Sequence, residues 1–280
     1  AILFGGQAMT YGELVAASRR LARVLAAQGV ARGSRVCLMA HNCPEYYVMY
    51  LAVLRCGAAF FPINAQLSVE EAAYVLRNSA PALVAADGEL RETMAAACAM
   101  AGIEVPGHGL ARLLELAREE SGRPLPLARD ARDMALVIHT SGTTARPKGV
   151  VATDRMEVLS AQALHRRWAI SPADISVCAL PLSYTFGLFT ASYVALTAGA
   201  TILLLPRFHP VHVLEAIERH GATYMVGVPT MYAMMLEHVR QTGRRYDLSS
   251  MRLMAASGAP IATRTKEEFE QVFGRRLRDY

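Results

Sequence analysis

The sequence predicts an α/β protein in which stacked, mainly parallel β-sheets are flanked by helices. Short apolar runs alternate with longer amphipathic stretches along most of the 280 residues. Strand–helix alternation at this spacing brings successive strands back parallel. Helix starts are announced by a small polar residue three places ahead of a glutamate, the reciprocal capping arrangement that satisfies orphan backbone donors. An apolar fraction of 53% with 19% charged residues is a globular balance and supplies a core. This length allows one large domain or two smaller ones. A thinning of the order after Gly102 puts the division near 133, giving subdomains of roughly 1–133 and 134–280.

Thr10 and Glu13 open the first helix, in which Leu14, Ala17, Leu21, Val24, Leu25 and Gln28 recur at helical spacing as far as Gly29. Residues 35–40 form an apolar strand. Asn42 and Glu45, with Pro44 between, predict a second capped helix to about Cys56-Gly57. A strand over 59–63 follows, then a third box at Ser68 and Glu71 with a helix over 69–77. Residues 82–86 are a buried strand closed by Asp87-Gly88, and 89–101 a helix. Glycines and prolines then mark turns around one helix, 110–118. Met134–Ile138 is a buried strand, and a further apolar run opens at Val150. Asp154 caps a helix to Trp168. Beyond it the strands are expected at 175–180, 200–205, 224–228 and 252–256, with a short one into Asp279-Tyr280. Helices are expected at 187–197, 211–219, 229–240 and 261–273.

Several functional classes are disfavoured. Net charge is +5, but the arginines are scattered and no basic run is interleaved with aromatics, which argues against nucleic acid. The uncharged span 175–206 is long enough to suggest a membrane helix. Pro181, Gly187, Gly199 and Pro206 punctuate it, so a strand–helix–strand passing through a core explains it better, and no transmembrane segment or signal peptide is expected. The five cysteines lack a Cys-x-x-Cys pair and read as buried free thiols in a reducing, cytoplasmic setting. The histidines show no metal-binding spacing.

The informative stretch lies between the strand at 134–138 and the run at Val150. Thr140, Ser141, Gly142, Thr143 and Thr144 are followed by Ala145, Arg146, Pro147, Lys148 and Gly149. Small residues let backbone N–H groups close around an anion, hydroxyls add donors, and a terminal lysine places a point charge against phosphate oxygens. It is not a Walker A loop, which requires Gly-Lys-Ser/Thr. The ordered string Thr-Ser-Gly-Thr-Thr-x-x-Pro-Lys-Gly closely resembles the phosphate loop of the adenylate-forming ligases: acyl-CoA synthetases, luciferases and peptide-synthetase adenylation domains. Ala145 stands where that family usually has glycine.

Other stretches resemble the family in the same order. Tyr11-Gly12-Glu13-Leu14 resembles its early helix opening. Pro181 to Leu188 resembles the segment bordering the acyl carboxylate and α-phosphate, with Tyr184 where histidine is usual; tyrosine offers a hydrogen bond but no positive charge near neutral pH. In Arg207-Phe208-His209-Pro210, His209 replaces an aspartate and is expected to cap the next helix. Val228-Pro229-Thr230-Met231 resembles the corner lining the acyl pocket, and Ser257-Gly258-Ala259-Pro260 the turn that meets adenine.

The resemblance implies the large N-terminal domain of such a ligase, with the C-terminal lid absent. It implies ATP, Mg²⁺ and coenzyme A as cofactors and a small-molecule carboxylic acid as substrate, consistent with a place in fatty-acid metabolism, and it leaves room for a homodimer. Ser141, Thr143, Thr144 and Lys148 would hold the β- and γ-phosphates with backbone donors from Gly142 and Gly149, and Thr140 would lie by the metal. Gly258, Ala259, Pro260 and Tyr280 would hold adenine, while Tyr184, Phe186, Gly187, Val228 and Met231 would border the carboxylate and acyl group. Lys148, Thr143 and Tyr184 are the residues expected to act in catalysis. The implied activity is acyl-CoA synthesis through an acyl-adenylate, with little turnover by these 280 residues alone. Two alternatives remain: an adenylation domain loading a carrier protein, and a non-catalytic nucleotide-binding or scaffold relative.

Overall fold

The computed structural model describes residues 1–104, 107–126, 129–140 and 147–280. In chain order the strands and helices are β1 (Ile2–Phe4), β2 (Gln7–Met9), α1 (Tyr11–Ala27), β3 (Arg35–Met39), α2 (Pro44–Arg55), β4 (Ala59–Ile63), α3 (Val69–Ser79), β5 (Leu83–Ala86), α4 (Arg91–Ala101), β6 (Gly107–Gly109) and α5 (Leu110–Glu119). There follow β7 (Met134–Thr140), β8 (Lys148–Thr153), α6 (Asp154–Trp168), β9 (Ile175–Cys178), a π-helical segment (Phe186–Tyr193) running into α7 (Val194–Thr197), and β10 (Thr201–Leu204). The chain closes with α8 (Pro210–His220), β11 (Tyr224–Gly227), α9 (Pro229–Thr242), β12 (Leu253–Ala256), α10 (Thr263–Phe273) and β13 (Leu277–Asp279). The expected α/β class holds. The short strand into Asp279-Tyr280 is present as β13, whereas the β1–β2 hairpin and β6, also of three residues each, were not foreseen.

The contacts divide the chain into two units, one of residues 10–160 with 182–184, the other of 1–9, 161–181 and 185–280. Sequence reasoning divides the chain near 133, but β7 pairs with β4, so the β7–β8 hairpin belongs to the sheet that precedes it.

In the first unit a six-stranded sheet has the order β6-β5-β3-β4-β7-β8, parallel except for the terminal β7–β8 pair. Alternation along β4 places helices on both faces. Phe61 joins a core cluster with Ala72, Leu76, Val84 and Met94 of the α3–α4 side, while Phe60 meets the rings of Tyr46 and Tyr50 of α2 edge-on. The Thr10/Glu13 and Ser68/Glu71 boxes form as expected. The Asn42/Glu45 box does not. With Pro44 at the first helical position the N-cap falls on Cys43, which makes no side-chain cap, and Asn42 Oδ1 accepts instead from the backbone N–H of Leu182 at 2.9 Å. Asp154 likewise does not cap α6. Thr153 Oγ1 accepts from Met156 N at 3.3 Å, while Asp154 pairs with Arg129, whose guanidinium also donates to the carbonyls of Ala58 and Met134.

Glu157, on the first turn of α6, is 4% exposed and accepts a 2.8 Å hydrogen bond from Tyr50 Oη. Burial pushes its carboxyl up to about 7, with the Tyr50 bond and Arg129 acting against that and Asp154 reinforcing it. A folded-state value above the unfolded one means stability is fully present below about 4.5 and declines as pH rises through about 7. Glu157→Gln is therefore expected to stabilise the chain at pH 8 on the order of 2 kcal/mol and to do little at pH 4.5. Denaturant midpoints at the two pH values check this; equal shifts at both would contradict it.

In the second unit a seven-stranded sheet runs β13-β12-β11-β9-β10-β1-β2, parallel except for β1–β2. Its core packs Val177, Met225 and Met254 against Leu214 of α8, Tyr232 of α9 and Phe269 of α10. The helix expected at 187–197 is a π-helix for most of its length, with Val194 N bonded to Phe189 O. Buried hydroxyls complete the wider turns: Ser192 donates to the carbonyl of Gly187 at 2.8 Å and Ser176 of β9 to that of Ala191 at 2.7 Å. His209 is the N-cap residue of α8 but makes no side-chain cap; its ring lies 4.6 Å from that of His212. Among the described residues no helix is long and apolar enough to cross a membrane. All five cysteines are free; Cys37 and Cys178 are buried, and Cys43, Cys56 and Cys98 are only partly so.

Candidate functional site

Each unit carries one set of the expected site residues. In the first, β7 and β8 pair antiparallel so that Thr140 faces Lys148 and His139 faces Gly149 across the mouth of a hairpin. Ser141, Gly142, Thr143 and Thr144, with Ala145 and Arg146, lie outside the described residues. The hairpin's last pair is polar and open: Thr140 and Lys148 are both exposed, and Lys148 forms no ion pair with any described residue. Behind them His139 is half-buried, its Nε2 3.2 Å from Asn78 Oδ1 and its ring 5.2 Å from that of Phe61. Burial lowers its pKa, so the imidazole is neutral at pH 7. Gly149 packs closely on this pair: a Cβ there would lie 3.3 Å from His139 Nε2 and 3.4 Å from Asn78 Oδ1.

Tyr184 belongs to the same unit, on the stretch 182–184. Its ring is 39% exposed and its hydroxyl takes a 2.8 Å hydrogen bond from Asn64 Nδ2, just beyond the end of β4.

In the second unit the expected residues gather at the carboxyl ends of adjacent parallel strands, the edge at which open α/β sheets bind ligands. Ser257 N bonds Gly227 O at 3.0 Å and Tyr280 N bonds Ala256 O at 3.0 Å, which keeps the turns after β11, β12 and β13 level. Gly258 has φ +85°, a left-handed conformation that favours glycine, and a Cβ on it would sit 3.5 Å from Val228 Cγ1. Ala259 and Pro260 are exposed beside it. Tyr280 stacks on Phe186, the ring centroids 6.5 Å apart at 28°, and meets the edge of Trp168 at 4.7 Å. Burial raises its pKa, while a hydrogen bond with Thr190 acts the other way. Trp168 and Thr190 hold the Tyr280 ring and were not picked out from the sequence, where they lie far from it and in no motif.

Two expected acyl-side residues have packing duties. Met231 is 4% exposed, its sulfur 3.2 Å from where a Gly227 Cβ would be. Gly187 is buried at the start of the π-helix, and a Cβ there would fall 2.3 Å from the carbonyl oxygen of Pro181, so only glycine fits.

Among the described residues no group of three His, Cys, Asp or Glu could hold a metal. Thr140 offers a single hydroxyl at the hairpin mouth. That fits a Mg²⁺ ion carried mainly by phosphate oxygens and water, the usual arrangement for this ion, rather than a protein cage.

Comparison with known proteins gives a consistent result. A feruloyl-CoA synthase from Amycolatopsis is 34% identical over 261 residues, covering 93% of this chain and 51% of its own. Tyrocidine synthase 3 of Brevibacillus parabrevis is 30% identical over 276 residues, 96% of this chain and 4% of its own. Among solved structures, ATP-bound MatB from Rhodopseudomonas palustris superposes with a TM-score of 0.89 at 32% identity, over 99% of this chain and 55% of that one. The chain thus spans about half the length of the feruloyl-CoA synthase and of the MatB chain that it matches. The family model described as AMP-binding enzyme matches residues 1–280, the whole of this sequence, and the chain belongs to the AMP-binding enzyme family.

Proposed function

We propose that in the whole protein this chain carries out the ATP-dependent activation of a carboxylic acid, followed by thioester formation with coenzyme A. The observation that carries this reading is the pairing of exposed Thr140 and Lys148 at the mouth of a hairpin whose connection reads Ser-Gly-Thr-Thr-Ala-Arg-Pro. In the first step a carboxylate oxygen bonds to the α-phosphorus of ATP and the bond to the bridging oxygen breaks, giving acyl-adenylate and pyrophosphate. In the second a thiolate attacks the acyl carbon and AMP leaves. Both steps rest on positioning and charge neutralisation. Ser141, Thr143, Thr144 and Lys148, with the backbone of Gly142 and Gly149, hold the β- and γ-phosphates. Bound Mg²⁺ would neutralise phosphate charge, with Thr140 beside it. Gly258, Ala259, Pro260 and Tyr280 hold adenine, and Tyr184, Phe186, Gly187, Val228 and Met231 border the carboxylate and acyl group. No acidic residue occurs from 175 to 206, which favours a neutral or apolar acyl chain over an amino acid. The free cysteines suit a cytoplasmic enzyme.

A second reading, loading of a carrier-protein thiol, is favoured by the similarity to tyrocidine synthase 3. Pyrophosphate release by the full-length protein, screened over carboxylic acids with and without coenzyme A, tests both. Thioester product with coenzyme A supports the first reading. Stable adenylate that coenzyme A does not discharge supports the second, and no release with any acid rejects activation altogether.

A further inference from the structure

Two asparagines, each just past the carboxyl end of a neighbouring parallel strand, hold the stretch that carries Tyr184. Asn42, beyond β3, accepts from the backbone N–H of Leu182 at 2.9 Å. Asn64, beyond β4, meets the hydroxyl of Tyr184 at 2.8 Å. The backbone and the ring of the same short stretch are therefore anchored separately.

The polarity of the second bond follows from a third contact. Gln66 N lies 3.1 Å from Asn64 Oδ1. A backbone N–H can only donate, so the amide atom facing it is the carbonyl oxygen, and the amide nitrogen must face Tyr184. Asn64 thus donates and Tyr184 Oη accepts. The phenolic hydrogen is left to point away from Asn64, on a ring that is 39% exposed.

We infer that Asn64 is a positioning residue that turns the Tyr184 hydroxyl into a neutral hydrogen-bond donor of fixed direction, aimed at an anionic oxygen of the bound carboxylic acid or its adenylate. This rests on the proposed activation chemistry. It also gives a physical role to tyrosine here: the donor is kept by orientation, without a charge. Donation to a charged oxygen is stronger than a neutral pair, and its direction is set before the ligand arrives.

Asn64→Asp separates positioning from mere folding. The carboxylate keeps an oxygen for Gln66 N, so the turn survives, but its other oxygen accepts from Tyr184 and pulls the phenolic hydrogen back toward residue 64. In the full-length protein, Asn64→Asp and Tyr184→Phe are each expected to lower kcat for acid-dependent pyrophosphate exchange about tenfold, with KM for ATP unchanged. Asn64→Asp added to Tyr184→Phe should cost nothing more, and melting temperatures should stay near that of the parent. Wild-type exchange with Asn64→Asp or Tyr184→Phe, or additive losses in the double variant, would overturn the inference alone. Absence of exchange in the parent with every acid would overturn the activation reading and this inference with it. Should Asn64→Asp lower the melting temperature, the Tyr184→Phe result decides, since that ring is partly exposed and its loss removes only the hydroxyl.

Discussion

Replacing Lys148 by alanine in the full-length protein is expected to lower acyl-adenylate formation at least about a hundredfold, the size typical of losing one preorganised donor to a developing anionic charge. The structure makes this a clean experiment. Lys148 opens an edge strand, its side chain is exposed, and it pairs with no described carboxylate, so folding does not depend on it. Its backbone position is nevertheless set by the strand pairing: five further pairings between β7 and β8 follow the Thr140–Lys148 pair and hold its Cα at the hairpin mouth. A point charge placed there can act on phosphate oxygens without first breaking an internal ion pair. The measurement is acid-dependent pyrophosphate exchange at saturating ATP, with the melting temperature as control. Exchange near that of the parent would remove the lysine from the reaction.

Arg252→Ala is expected to destabilise the second unit by about 3–5 kcal/mol, the cost of leaving a buried charge unpaired. Arg252 Nε and one terminal nitrogen each bond one oxygen of Asp174 at 2.7 Å, a bidentate pair. The guanidinium also donates to the carbonyls of Trp168 at 2.7 Å and Ala169 at 3.1 Å. Ala169 has a positive φ of 49°, and the arginine holds that strained end of α6 in place. Burial raises the Asp174 carboxyl, but bonds from Arg252, Thr223 and the Ser171 backbone outweigh it and hold the group down to about 2. The sign follows: the pairing stabilises above the unfolded value of about 3.8 and is lost as pH falls through about 2. Chemical denaturation of parent and variant at pH 7 measures the difference, and a change below about 1 kcal/mol would place this cluster among ordinary surface ion pairs. The same substitution should loosen Trp168 and with it the ring of Tyr280, so a drop in adenine-nucleotide affinity is expected to accompany the loss of stability.

What could be read from the sequence was whatever depends on near neighbours in the chain. The boxes at Thr10/Glu13 and Ser68/Glu71 are closed by residues three apart, and both are present. The strands at 59–63 and 224–227 announced themselves by continuous apolar character, the mark of strands covered on both faces. Asn42 looked equally like a cap, but its amide is taken by a backbone group 140 positions away, and no local rule contains that competition. The π-helix was read as an ordinary helix, and the close packing of Gly187 against the Pro181 carbonyl at its start is a contact that no local rule contains. In the candidate site the resemblance at the hairpin rests on an ordered string of small and hydroxyl residues in one short stretch of chain, and the structure adds the pairing of Thr140 with Lys148 at its mouth. The supports of the site's aromatic members were not legible. Asn64 reaches Tyr184 across 120 positions, and Trp168 reaches Tyr280 only through the fold.

Neither unit is a single run of chain. The backbone passes from one to the other at residues 9/10, 160/161, 181/182 and 184/185, the last two passages bracketing the stretch that carries Tyr184. One peptide-bond scission therefore cannot release either half intact, and a gene cut at any one point yields pieces that each lack strands or anchors from the other. For this protein, dissection by point substitution is the workable route.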